Sequence, residues 1–155
     1  MSNDFWAFSL RTYAAEGVAE NCLAVQETMA QDVNVVLYAA WLASENRAMT
    51  PLHLEALQAC VQRWRERVVR PLRALRMQLR DYPEAGAIRE SIKTLELQAE
   101  QQQQDAMWAF FQSSLDLPTA PCPLHDNLQL LRELNEDTDG LWAALEDRIA
   151  CAMKG

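Results

Sequence analysis

The sequence is poor in the residues that make turns. It contains only four glycines and six prolines among 155 residues. Tight hairpins depend on such residues, so a chain this short of them cannot form many hairpins. The shortage argues against an all-β fold. The helix formers Ala, Leu, Glu, Gln and Arg dominate instead.

Long apolar runs and an export signal are also missing. No apolar stretch reaches the roughly 20 residues that a membrane-spanning helix needs. The first ten residues place Asp4 ahead of the apolar positions and contain no basic segment, unlike a signal peptide. We therefore expect a cytoplasmic protein that has no membrane partner.

Metal-binding and redox motifs are scarce. The four cysteines, Cys22, Cys60, Cys122 and Cys151, are far apart and form no CxxC pair. Without an export signal, reduced thiols are expected. In the segment CPLH, Cys122 stands three positions before His125. This is at most half a zinc site, and the sequence contains no second pair of ligands with matching spacing. We expect no metal and no cofactor.

Catalytic signatures are missing as well. The sequence contains no HExxH, no GxSxG, no glycine-rich phosphate loop and no recognisable Cys-His-Asn arrangement. The formal net charge is −8. An acidic chain repels phosphate backbones at long range, so nucleic acid is not an expected partner.

One segment is apolar on every face. VNVVLYAAWLAS follows Asp32, a typical N-cap residue. A helix that is apolar all round is a buried helix, so we predict an all-α irregular bundle of about six to eight helices around a central helix at 33–43. Asn34 and Tyr38 lie one turn apart there and need partners, because an unpaired buried polar group costs about 1–3 kcal/mol.

The chain length suits one domain. We expect a single helical domain at 1–155, with a main bundle at 1–115, a proline-rich loop at 116–123 and a C-terminal helical segment at 124–155.

Two long helices are predicted in the middle of the chain. Thr50-Pro51 marks a helix start, and an apolar stripe then continues through Trp64 and Leu75 in helical phase. The stripe contains a proline, which cannot continue a regular helix. We expect one long helix bent near Val68–Pro71, or two nearly coaxial helices.

The next helix is predicted over about 84–114. Its apolar positions predict a core-facing stripe that includes Ile88 and Leu95. The run Gln101 to Gln104 interrupts that pattern, and we expect these four side chains to be solvated.

Seven arginines are concentrated between positions 63 and 80, and only Glu66 opposes them. The segment therefore carries about +6, which leaves about −14 for the rest of the chain. One interpretation is internal neutralisation by acids on neighbouring helices. The other is a receptor for a phosphate-bearing ligand or an acidic protein face.

The candidate ligand- or partner-binding residues come from the central helix and from this arginine segment. The candidates are Asp32, Asn34, Tyr38, Arg63, Arg67, Arg70 and Arg73. The ordinary alternative for the first three is that Asp32 caps the helix and that the Asn34 amide and the Tyr38 hydroxyl are hydrogen-bonded groups of the core.

Four segments together resemble a known family. They are FWAFSLRTY at 5–13, GVAENCLAVQ at 17–26, DVNVVLYAAWLA at 32–43 and WRERVVRPLRALR at 64–76. In these residues the chain is similar to a bacterial family of uncharacterised small helical proteins, a domain of unknown function. Glu16 stands where relatives often have proline, which affects only a turn. The resemblance implies no activity, cofactor or catalytic residue.

Two functional hypotheses follow. The first is a non-enzymatic protein-interaction, adaptor or regulatory protein, because catalytic motifs are missing and charge is segregated. Its partner would be another protein with an acidic or apolar face. The alternative is a small helical enzyme or binder of an anionic, phosphate- or carboxylate-bearing small molecule that uses the Arg63–Arg80 cluster. The sequence leaves the oligomeric state open.

Overall fold

Helices account for almost all of the regular structure. The computed structural model describes residues 2–114, 116–133 and 140–155. Within these ranges there is no β-strand, only an isolated bridge between Arg47 and Thr119. The all-α prediction is confirmed. The helices are α1 (Asp4–Tyr13), α2 (Val18–Met29), α3 (Val33–Ser44), α4 (Pro51–Trp64), α5 (Arg70–Gln78), α6 (Gly86–Ser113), α7 (Leu124–Arg132) and α8 (Leu141–Lys154).

Backbone contacts group the chain into two compact units. The first unit is Met1–Leu54 together with Ser114–Gly155, and the second unit is Glu55–Ser113. That the whole chain behaves as a single domain stays a prediction.

Helix α3 is the central helix of the first unit. It packs against α1, α2 and α7, and its ten consecutive residues from Asn34 to Ala43 are all buried. Full burial of each Val or Leu in such a helix contributes about 1.5–3 kcal/mol. The prediction of a buried central helix at 33–43 is confirmed.

The aromatic residues of α1 pack on this central helix. The Phe5 ring is fully buried and meets Tyr38 edge-on, with 5.4 Å between ring centroids. Its centroid lies 5.5 Å from that of Trp41. Such ring pairs contribute about 0.5–1.5 kcal/mol beyond the area they bury. The aromatic content of the first helix therefore serves to anchor α1 on α3.

A buried amide on α7 ties the loop after α3 into the first unit. The Asn127 Oδ1 accepts a hydrogen bond from the Met49 N–H at 2.8 Å. The same side chain donates from Nδ2 to the carbonyls of Ala39 at 3.1 Å and Arg47 at 3.0 Å. These three direct hydrogen bonds join α7 to α3 and to the loop that follows it.

The loop after α3 also holds the proline-rich segment in place. The Ala48 N–H donates to the Pro118 carbonyl at 2.8 Å, and the Ala120 N–H donates to the Asn46 carbonyl at 3.0 Å. A guanidinium nitrogen of Arg47 donates to the Leu117 carbonyl at 3.0 Å. The segment ahead of α7 is therefore fixed by backbone groups, even though it has no regular secondary structure.

In the second unit, α5 and the π-helical stretch Arg65–Val69 pack against α6. The stripe predicted for α6 is right at Ile92 and Ala99, which are buried, and wrong at Ile88 and Leu95, which are 60% and 50% exposed. Most buried positions recur every three or four residues, and two positions of this series are polar. The series comprises Ile92, Glu96, Ala99, Gln103 and Met107.

The prediction of four solvated glutamines is wrong for two of them. Gln103 and Gln104 are buried, whereas Gln101 and Gln102 are exposed. The first buried glutamine lies eleven residues after Ile92, which is three helical turns, so helical periodicity places it on the buried face despite its polarity.

The helix irregularity begins ahead of the proline at position 71. In the π-helical stretch the Arg70 N–H donates to the Arg65 carbonyl, five residues back. Because a π-helical turn contains one more residue than an α-helical turn, the side chains after it are rotated about the helix axis. The buried position after Val61 is consequently Val69, and Leu75, predicted to face the core, is exposed.

We predict that Asn127→Ala lowers the free energy of unfolding by about 3 kcal/mol, because it removes three hydrogen bonds and leaves the buried Met49 N–H without its acceptor. Urea denaturation followed by circular dichroism measures the change. The half-buried Gln129, on the same helix, provides the control Gln129→Ala, for which the change should stay within about 0.5 kcal/mol. Equal losses in the two variants would contradict the role of the buried amide.

Candidate functional site

The residues predicted to bind a ligand or partner fall in both units. Three of them lie around the start of α3 in the first unit, and the four arginines lie in the second unit.

Asp32 and Asn34 form the N-terminal cap of α3. An Asp32 carboxylate oxygen, Oδ1, accepts a hydrogen bond from the Asn34 backbone N–H at 2.9 Å. The capping carboxylate is half-buried and the amide residue is buried. A cap of this type stabilises a helix by about 1 kcal/mol. The geometry matches the ordinary capping interpretation of Asp32.

Tyr38 is paired with a histidine. Its buried hydroxyl lies 2.7 Å from Nε2 of His53, and the two rings stack with 5.8 Å between centroids. The His53 backbone N–H donates to the Thr50 hydroxyl at 3.1 Å, which caps α4 as predicted. Because burial disfavours the charged imidazolium, the pKa of His53 lies below its ordinary value. Sequence spacing gave no sign of this pair, since the partners are on different helices.

The lowered pKa of His53 predicts a pH-dependent stability. The neutral ring is favoured in the folded state, so its contribution is complete above pH 6.5 and is lost as the pH falls below that value. Urea denaturation at about pH 7.5 and about pH 5.5 should show a lower free energy of unfolding at the acidic pH.

His53→Gln should reduce this pH dependence, whereas Tyr38→Phe should keep it, because burial rather than the hydroxyl causes the shift. A pH dependence that is unchanged in His53→Gln would rule the explanation out.

Two of the arginines in the second unit are neutralised by α6. Arg73 donates to Glu96 at 3.0 Å and to Glu100 at 2.8 Å, and Arg76 pairs with the same Glu96. Burial by itself would raise the pKa of Glu96, but hydrogen bonds and charge from the two arginines outweigh it, so that pKa lies below its ordinary value. For Arg73 the structure therefore matches internal neutralisation.

The remaining candidate arginines are exposed. We call Arg63, Arg67 and Arg70 the arginine face; the three residues are exposed and lie on α4, on the π-helical stretch and on α5. Within the part of the chain that the structure describes, none of the three lies within 4.0 Å of a carboxylate. Arg80 is exposed and equally without an ion pair there. The arginine cluster thus divides into a neutralised pair and a free face.

We predict that Glu96→Gln lowers the free energy of unfolding by about 2 kcal/mol, because two partly buried guanidiniums lose their shared carboxylate, whose side chain is only 9% exposed. The control is Glu90→Gln, which removes the exposed pair with Lys93 and should change stability by less than about 0.5 kcal/mol. Chemical denaturation compares them, and a loss no larger than in the control would refute the prediction.

A cavity of about 730 Å³ opens on the first unit. Its walls come from α1, the end of α3 and the residues that follow, the start of α7, and α8. Among the lining residues are Cys122, His125 and Glu146. The spacing of Cys122 and His125 suggested at most half of a metal site, and nothing in the sequence pointed to Glu146. Within the described ranges, no three Asp, Glu, His or Cys side chains are grouped so that they could hold a metal ion.

The family model described as "Protein of unknown function (DUF2390)" matches residues 4–107. The chain belongs to this family. The match covers about two-thirds of the chain and runs through α1 to most of α6, beyond the segments that carried the resemblance. It includes all seven predicted site residues, and it ends before Cys122. No curated protein and no solved structure matches the chain.

The DUF2390 description assigns no activity, ligand or partner. Among the described residues, the structure contains no helix with the length and apolar character needed to cross a membrane.

Proposed function

We propose that this protein is a cytoplasmic adaptor or regulatory protein that binds another protein through the arginine face. The observation that supports this proposal is that three neighbouring arginines are exposed and lack carboxylate partners in the described part of the chain. Guanidiniums left free in this way can donate paired hydrogen bonds to carboxylates of a partner.

Exposed apolar side chains lie on the same side of α5 as Arg70. Ala74 and Met77 follow Arg70 at spacings of four and three, and both are exposed. Exposed apolar residues beside charged ones are typical of protein interaction sites. A partner surface with carboxylates next to apolar side chains would complement this arrangement.

The second unit is also the less acidic part of the chain. It carries nine basic and eight acidic residues, whereas the first unit carries five basic and fourteen acidic residues. An acidic partner is therefore attracted to the second unit more than to the first.

A binder of an anionic small molecule is the alternative that uses the same segment. Such a site needs several guanidiniums that converge on one ligand. Arg73 and Arg76 instead direct their donors to Glu96 and Glu100. This pairing favours the protein partner over the small molecule.

We predict that the variant Arg63→Glu/Arg67→Glu/Arg70→Glu fails to recover a partner that the unchanged protein recovers. The measurement is tagged purification from the native cell followed by mass spectrometry. The control, Arg11→Glu/Lys93→Glu/Lys154→Glu, makes the same charge change at exposed positions outside the arginine face and should keep the partner.

A photo-crosslinking residue at Ala74 should capture the same partner, whereas one at the exposed Ala109 on α6 should not. The proposal is wrong if the unchanged protein repeatedly recovers nothing above background, or if the arginine variant recovers as much as the control. Binding of inorganic phosphate that is lost only in the arginine variant would support the small-molecule alternative instead.

A further inference from the structure

Arg89, near the start of α6, has a buried nitrogen without an acceptor. The residue is half-buried, and its Nε–H is shielded from solvent. Within the part of the chain that the structure describes, the side chain makes no hydrogen bond and no ion pair. A buried N–H group without an acceptor costs free energy, and the cost is larger when the group belongs to a charged side chain. The observation points to an acceptor from outside the chain.

The pairing of α5 with α6 places Arg80 opposite Arg89. The two helices follow one another through a short turn and pack together, so they run antiparallel. On α5, Arg73 donates to Glu96 of α6 at 3.0 Å. Arg80 comes seven residues after Arg73, and Arg89 comes seven residues before Glu96. Seven residues are about two helical turns and return to the same side of a helix. The turn that contains Arg80 also contacts α6.

No carboxylate of the described residues neutralises these two arginines. The carboxylates of α6 that contact α5 are bonded to other arginines. The acids of the connecting turn, Asp81 and Glu84, are exposed and form no ion pair with Arg80 or Arg89. A second guanidinium therefore stands where Glu96 stands two turns further along α6. Two positive charges at facing positions repel each other unless an anion lies between them.

We propose that Arg80 and Arg89 bind a phosphate group at the end of the α5–α6 hairpin where the two helices are connected. The planar fork of a guanidinium matches the spacing of two phosphate oxygens. A phosphate ester carries about −1.5 to −2 charges at pH 7 and has three strong acceptor oxygens. It therefore balances both arginines and offers an acceptor to the Nε–H of Arg89, whereas a single carboxylate balances only one of them.

This inference goes beyond the proposed function and uses no residue of the arginine face. The protein partner is assigned to Arg63, Arg67 and Arg70, and the phosphate group to the arginines at the other end of α5 and on α6. Phosphate binding is measured on the purified protein without a partner. The two proposals can therefore succeed or fail separately.

The Nε–H signals of arginines in a proton–nitrogen NMR spectrum report directly on this site. The signal of Arg89 is identified by its loss from the spectrum of Arg89→Gln. Inorganic phosphate added to the unchanged protein should shift this signal until it saturates, because the Nε–H gains an acceptor. Chloride at the same ionic strength should not shift it.

Isothermal titration calorimetry with inorganic phosphate compares the variants. We expect Arg89→Gln to weaken binding at least about tenfold, because charge-assisted hydrogen bonds are lost. Arg80→Gln should weaken binding about threefold, since that side chain is exposed. The matched control is Arg70→Gln, which removes an exposed arginine without an ion pair in the described ranges and should keep the affinity. Without phosphate, Arg89→Gln should unfold at the same urea concentration as the unchanged protein.

Phenyl phosphate serves as the second probe. Tighter binding of phenyl phosphate than of inorganic phosphate assigns the site to a phosphate ester, and equal binding assigns it to the free ion. The proposal is overturned if the Arg89 signal does not move with phosphate or moves equally with chloride. It is also overturned if Arg89→Gln binds phosphate as well as Arg70→Gln does.

Discussion

The first unit depends on the side-chain amides of two asparagines that satisfy backbone groups of other segments. Asn127 binds the loop after α3 from α7, and Asn46 in that loop binds the backbone N–H of Cys122. A loop without regular structure cannot be buried unless its polar groups find partners. The buried Asn127 amide therefore helps α7 and this loop to enclose α3, which is apolar on every face, whereas Asn46 makes an exposed hydrogen bond that positions the backbone of Cys122.

In the second unit, a buried polar group is satisfied by ion pairs and not by a side-chain amide. Glu96 occupies a buried position of α6 and is matched by Arg73 and Arg76 from α5. A partly buried carboxylate is tolerated because two guanidiniums satisfy it, and removing both guanidiniums would leave the carboxylate without its ion pairs. Arg63, Arg67 and Arg70 are exposed and have no carboxylate partner in the described part of the chain, so one arginine-rich segment serves both packing and the exposed surface.

The sequence predicted most of the helices and little of the polar geometry. Periodicity and capping residues located α2, α3 and the start of α4, because those signals act within one helix. Pairs such as Tyr38 with His53 and His125 with Glu146 join different helices, and no local pattern reports them. Polar residues at buried positions of α6 also misled the prediction, since Glu96 and Gln103 are buried where hydrophobicity alone selects Ile88 and Leu95.

The π-helical stretch determines which side chains of α5 face α6. An uninterrupted α-helix continuing from Val61 would turn Leu75 inward, as the spacing of the apolar residues suggests. One additional residue in Arg65–Val69 advances the phase, so that Arg76 takes the inward position and Leu75 points outward. Deleting a single residue there would replace the charged contact between α5 and α6 with an apolar one, because Leu75 would then face α6 in place of Arg76. The local winding of five residues thus sets the polarity of both faces of the helix that follows.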